Sequence, residues 1–343
     1  MAKIGINGYG RLGRLLLRVA VDKCKGKSAV RSPMVVMIND PHIPKCGSAN
    51  LIKKDSFQGG CCCDVKELSD GIMIDGLKVE FSREDKVEKI PWTKYGVDYI
   101  IDTTWQHTER DSAKKLATPG IKRVMVTGCK NIPMFVFGVN HACFKLDMKL
   151  VSAASPSTNC LATMLSVLHE YFGVENALAT TLRPFSNYYR LLDDPTRSNV
   201  RDCRASINCM APTEALSQGH VIGKIMPELD EKTETTTIRV PVTCVGAVSL
   251  AVKLKKPAPL DVINLKFKEA AVTYMKGIIR VSEEELVSND VISDCHSCVM
   301  DLKTGKPLSK CAAQLFAWYD AEYAFASRLY DLAQYISSRE DCK

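Results

Sequence analysis

The stretch Ser152-Ala153-Ala154-Ser155-Pro156-Ser157-Thr158-Asn159-Cys160 holds the residue types best suited to covalent chemistry. It follows a short apolar strand, 149–151, and opens a helix in which Leu161, Met164, Leu165 and Leu168 recur at helical spacing. Ser155 is a good N-cap, and Pro156 suits the first helical position, where a missing N–H costs nothing. A helix N-terminus lowers the pKa of a thiol placed there and so arms a nucleophile. Proline has no such atom. Ser155 and Ser157 have no visible base to activate them. Cys160 lies one turn further on, about 6 Å along the axis, and also fits a buried structural thiol.

A second constellation opens the chain. An apolar strand at 3–7 runs into Gly8-Tyr9-Gly10-Arg11-Leu12-Gly13-Arg14, and Leu12, Leu15, Leu16 and Val19 follow at helical spacing. A G-x-G-x-x-G run between a strand and a helix is a dinucleotide fingerprint. Gly8 makes the tight turn, Gly10 lets pyrophosphate approach the backbone, and Gly13 packs helix on strand. The next strand, 34–38, ends in Asn39-Asp40. A carboxylate there holds the adenosine ribose and disfavours an extra phosphate, which implies NAD. A turn residue before Pro41 is the alternative reading of Asp40.

These sites need elements to hold them. Strands are expected at 72–74 and 77–81 around an Asp75-Gly76 hairpin, then at 98–101, 123–127 and 135–137, with a helix over 109–117. Repeated βα units after a glycine turn predict a doubly wound Rossmann sheet. From 151 the pattern changes to a helix at 156–172, long strands at 177–183, 235–241 and 244–254, and helices at 260–275 and 311–338. The irregular stretch 187–211 lies between them. This predicts an α/β protein with domains at 1–150 and 151–316, the second α+β with a mainly antiparallel sheet.

Composition is that of a soluble globular protein: 343 residues, 46% hydrophobic, 25% charged, net charge +7. The basic residues are scattered, which argues against a nucleic-acid partner. No apolar run is long enough for a membrane span, and the N-terminus enters a strand with no secretory leader. Fifteen cysteines then read as free thiols in a reducing, cytoplasmic compartment. Cys295-His296-Ser297-Cys298 is a lone C-x-x-C without a second pair, so no metal site is expected.

The chain resembles phosphorylating glyceraldehyde-3-phosphate dehydrogenase along its whole length. The matching stretches are 6–14, Asn39-Asp40-Pro41, 133–140, 157–162, Arg239-Val240-Pro241, 293–297 and Trp318-Tyr319-Asp320. The resemblance implies a cytosolic homotetramer that binds NAD through Asn7, Gly8, Gly10, Arg11, Leu12, Gly13, Asp40 and Thr127. A last helix, 317–343, would pack on the NAD domain. It also implies a thiolate that attacks an aldehyde and a histidine that takes a proton as hydride passes to NAD. The nucleophile's place in the motif is Pro156 and the histidine's is Arg183, which stays protonated and cannot act as a base.

Other positions depart too. The nicotinamide-binding asparagine is Ala321, a glycine near the cofactor is Trp105, and the phosphate-binding Thr-Gly step is not recognisable in 214–217. Arg239 matches the family's substrate-phosphate arginine, with Ser186 in place of a threonine; with Ser155, Ser157 and Arg183 nearby, a residual anion site is implied. Pairing of an arginine with Asp193 or Asp194 is the alternative. The stretch 187–211 resembles a loop at the family's subunit contacts, keeping Asp194-Pro195-Thr196. The expectation is an inactive NAD-binding member kept for a binding or structural role. Its rivals are an active dehydrogenase using Cys160 or a serine, and an RNA- or protein-interaction module using the dinucleotide groove.

Overall fold

Ile4 and Ile6 on one face of the first strand are fully buried, as expected of a strand covered by helices on both sides. The computed structural model describes residues 2–25, 32–195, 199–213 and 218–341. It divides into two units: Met1–Phe137, His141–Ser155 and Ala326–Lys343 in the first, Gly138–Asn140 and Pro156–Phe325 in the second.

The first unit contains β1 (Lys3–Asn7), α1 (Arg11–Cys24), β2 (Met34–Asn39) and α2 (Ser48–Lys53). There follow the small hairpin β3 (Lys54–Asp55) and β4 (Gly59–Gly60), then β5 (Val65–Glu67), β6 (Gly71–Ile74) and β7 (Leu77–Ser82). The unit continues with β8 (Tyr99–Asp102), α3 (Arg110–Lys114), β9 (Arg123–Val126) and β10 (Leu150–Ser152). Its main sheet runs β10-β9-β8-β1-β2-β7-β6-β5. The strands from β10 to β7 are parallel, and β6 and β5 add an antiparallel edge. Asp75 and Gly76 both take positive φ, 46° and 83°, as a two-residue hairpin turn requires. Strand order reverses at β1, so the ligand crevice belongs at the C-terminal ends of β1 and β8.

The second unit begins with α4 (Pro156–Phe172), whose first residue is Pro156 as expected. It continues with β11 (Val174–Pro184), β12 (Ala211–Thr213), α5 (Gln218–Ile225), β13 (Thr233–Val240), β14 (Val245–Leu254) and α6 (Leu260–Val272). The rest is β15 (Ile279–Ser282), β16 (Cys298–Asp301), β17 (Lys306–Ser309) and β18 (Ala312–Asp320), before α7 (Tyr323–Asp341). The sheet order is β12-β13-β11-β14-β18-β16-β15, with β17 beside β18. It is mostly antiparallel, but β11 runs parallel to β13 and β15 to β16.

Three expectations need correction. The helix over 311–338 is a strand, β18, followed by α7. Residues 312–320 alternate in burial, and the Asp320 carboxylate then accepts the N–H groups of Glu322 and Tyr323 at 2.8 Å, capping a helix that starts at 323 rather than 317. Residues 135–137 are not a strand: only Met134 bridges Ser152. Phe135 instead packs edge-on against Phe144, and Phe137 against His141 and Tyr335, so aromatic packing stabilises an irregular segment. The helix over 109–117 shrinks to Arg110–Lys114. From Ala326 on, α7 belongs to the first unit, where Tyr330 donates to the Pro33 carbonyl and Arg123 pairs with Glu340.

Candidate cofactor and catalytic sites

The glycine turn behaves as its spacing implies. Gly8 has φ +111°, and a Cβ there would lie 2.7 Å from Thr103 Oγ1. A Cβ on Gly13 would lie 2.0 Å from the Gly8 carbonyl oxygen, so helix and turn touch main chain to main chain. Gly10 is exposed, and a Cβ on it would meet nothing within 4 Å. It caps α1 without a side-chain hydrogen bond, and the first turn holds no acidic residue. The amides and the positive end of α1 are therefore available to an anion. These features fit a pyrophosphate.

Asp40 closes the other side. Its carboxylate accepts the Tyr9 N–H and the His42 N–H, each at 2.8 Å. Each oxygen keeps a second lone pair, so a ribose diol can still be accepted. Asn7 holds the floor, donating to Asp102 at 2.8 Å and accepting from Asn39 at 3.1 Å. Leu12 is packed in the core. The Arg11 guanidinium is paired with Asp55 at 3.1 Å. Burial tends to raise the Asp55 pKa, but the N–H groups of Gln58 and Phe57 and the Arg11 charge outweigh it and hold it below the usual range. Thr127 follows β9, 1% exposed, with its Oγ1 shielded from solvent and without a partner among the described residues.

In the second unit α4 starts at Pro156. Ala154 takes φ 60° just before it, at the end of the first unit, a strained conformation for a non-glycine residue. Ser155 is half-buried, whereas Ser157 is 1% exposed and close enough to Tyr319 to hydrogen-bond its hydroxyl. Cys160 is fully buried; that burial and a hydrogen bond with the Cys298 thiol push its thiol well above the ordinary range. It stays a thiol at any physiological pH. His169 Nδ1 accepts the Val174 N–H beyond the other end of α4, and His296 pairs with Asp294 at 2.7 Å.

Arg183 and Arg239 face each other in register across parallel β11 and β13. Arg239 is completely buried, stacked 4.6 Å from the Tyr189 ring, and donates through Nη2 to the Arg204 and Ala205 carbonyls. Its Nε and Nη1 have no partner among the described residues. The acidic alternatives are occupied: Asp193 pairs with Arg204 and Asp194 with Arg190. A buried guanidinium with two unmet donors fits an anion. Ser186 is exposed, at the start of the irregular loop. Thr196 and residues 214–217 lie outside the described residues. Ala321 follows β18, its N–H bonded to the Cys244 carbonyl, with no side-chain amide to offer. Asp294, Cys295 and His296 offer ligand atoms within 4.8 Å of one another; the sequence had weighed Cys295 and His296 in the C-x-x-C, without Asp294. Asp294 there is already paired with Arg280 at 2.6 Å.

Comparison with known proteins covers the chain nearly end to end. Residues 2–110 match the family described as glyceraldehyde 3-phosphate dehydrogenase, NAD binding domain, and 155–321 match its C-terminal domain. The glyceraldehyde-3-phosphate dehydrogenase of Glossina morsitans morsitans is 37% identical over 99% of this chain and 100% of its own length. Glyceraldehyde-3-phosphate dehydrogenase 1 of Saccharomyces cerevisiae is 36% identical over 98% and 99%. The glyceraldehyde-3-phosphate dehydrogenase of Wickerhamomyces ciferrii is 36% identical over 98% of each chain.

Proposed function

The chain belongs to the glyceraldehyde-3-phosphate dehydrogenase family, and on that premise we propose that it keeps the cofactor half of the family's machinery and has lost the chemical half. NAD is its cofactor, carried by the family's NAD-binding domain. The observation behind the rest is the pair Pro156 and Arg183, which occupy the motif positions of nucleophile and base.

When bound, NAD supplies a hydride acceptor. The chain's own residues orient the adenosine side: Asp40 accepts from the ribose, Gly8 to Gly13 and the start of α1 hold the pyrophosphate, and Asn7 braces the floor. Pro156 offers no atom to attack a carbonyl, and Arg183 holds its protons. Cys160 cannot substitute, because it is sealed and stays protonated. Losing a nucleophile or its base costs on the order of 10⁶ in rate where the two act as a unit. Arg183 and Arg239 are left as a dicationic pocket that binds phosphate-like anions.

The protein then acts as a cytoplasmic binding or structural member. The loop across 188–210 exposes Tyr188, Leu191, Leu192, Val200 and Met210, the last three at 71% or more. Apolar side chains gathered on one loop mark a contact surface and support a homotetramer of the family kind. The test is NADH production from glyceraldehyde 3-phosphate, NAD and phosphate, with the yeast relative alongside. Turnover below about 10⁻⁵ of that control is expected. Turnover that disappears in Cys160→Ala or Ser157→Ala would contradict the proposal.

A further inference from the structure

A doubly wound sheet holds a dinucleotide in two halves, one on each side of the strand-order reversal. In this chain Asp40 and the glycine turn serve the half over β1, β2 and β7. The other half lies over β8, β9 and β10, and three observations bear on whether it is open.

The first is Trp105, in the loop after β8. It takes φ 59°, a conformation that a bulky residue adopts only when its surroundings impose it. Its ring lies on Gly128 so closely that a Cβ there would be 2.8 Å from the indole. The side chain thus spans from the β8 loop to the β9 loop. The second is Thr127, whose hydroxyl would have to face an open groove to bind a ligand; it is instead shielded from solvent and unpartnered among the described residues.

The third is the bracing of the loop that carries Trp105. Thr103 Oγ1 donates to the Asn7 carbonyl at 3.0 Å, and Thr104 Oγ1 donates to the fully buried Asp102 at 2.9 Å. On the far side His107, only 7% exposed, lies with Nδ1 3.2 Å from Asp102, and the Gln106 N–H returns to Thr104 Oγ1. The loop is thus braced on both sides of Trp105, which itself remains 42% exposed.

We infer that Trp105 closes the second mononucleotide half, so that the site grips its ligand through the adenosine diphosphate moiety alone and takes ADP-ribose as readily as NAD. This rests on the cofactor reading above and narrows it: the ligand class is any ADP-bearing nucleotide, with nicotinamide contributing nothing to affinity.

Calorimetric titration of the full chain with NAD and with ADP-ribose tests it. The two affinities are expected to agree within about threefold. Trp105→Gly, which relieves the positive φ, opens the half-site and is expected to favour NAD over ADP-ribose by about tenfold. Trp105→Phe keeps a ring on Gly128 and is expected to behave as the native chain, with thermal melting confirming that both variants fold. If native protein binds NAD at least about tenfold more tightly than ADP-ribose and Trp105→Gly loses that preference, the indole is a stacking platform. The inference then fails while the cofactor reading stands. If neither ligand binds, the cofactor reading fails and this inference with it.

Discussion

Two helix starts in this molecule began from the same physical opportunity and ended differently. At α1 the turn is Gly8 to Gly13, the cap is a bare glycine, and nothing acidic neutralises the first-turn amides. At α4 the first residue is Pro156, with buried Ser157, Thr158 and Asn159 behind it. A helix N-terminus favours negative charge wherever it occurs. What it can do with that field depends on the group presented. Main-chain amides suffice to bind a phosphate, so α1 keeps its role. Nucleophilic chemistry requires one particular side-chain atom, so on the proposed reading a single proline would remove it while the strained Ala154 turn persists.

The comparison breaks most severely at Gly13. A Cβ there would sit 2.0 Å from the Gly8 carbonyl, against main chain that cannot yield. Gly13→Ala is expected to destabilise the fold by about 1–3 kcal/mol and to abolish NAD binding, read by denaturant unfolding and calorimetry. Unchanged NAD affinity would mean the turn is not the binding element.

Arg239 sharpens the other side. A buried cation with unmet donors costs stability that a well-packed apolar residue does not. Phosphate should therefore raise the native melting temperature by mass action, and Arg239→Met should lose that response without a large fall in stability. A loss of about 3–5 kcal/mol would instead mark Arg239 as a committed ion-pair partner.

The smallest effect expected is pH-dependent. Bonds to Asp294 and Cys295 raise His296 to about 9, above its unfolded value near 6.5. Its contribution is fully present below about 6.5 and fades as pH rises through about 9. His296→Gln should flatten the unfolding free energy across that window; an unchanged slope would show that His296 does not carry it.

Much of this was legible in the sequence. Local rules carried the βα units, the Asp75-Gly76 turn and the Pro156 helix start, because glycine, proline and apolar spacing act within a few residues. Residues 312–320 misled because Leu315, Phe316, Trp318 and Tyr319 fit an apolar face at either period, and only the cap at Asp320 separates strand from helix. Residues 135–137 are apolar because aromatic neighbours bury them, a tertiary cause that no window reveals. The short strand β15 takes its pairing from β16, across the intervening segment 283–297. In the site, spacing named the glycines and Asp40, and the family resemblance named Arg239. The lie of Trp105 on Gly128 and the shielding of Thr127 depend on contacts between separate strands and could not be read from the chain.

The most direct measurement is a single-turnover burst: excess glyceraldehyde 3-phosphate and NAD mixed with stoichiometric protein, without phosphate, and absorbance of NADH followed. A thioester-forming site releases one NADH per active subunit even when later steps are slow. This account expects NAD to bind and no burst to follow. A burst approaching one NADH per subunit would show that a nucleophile other than the lost one is at work, and would contradict it.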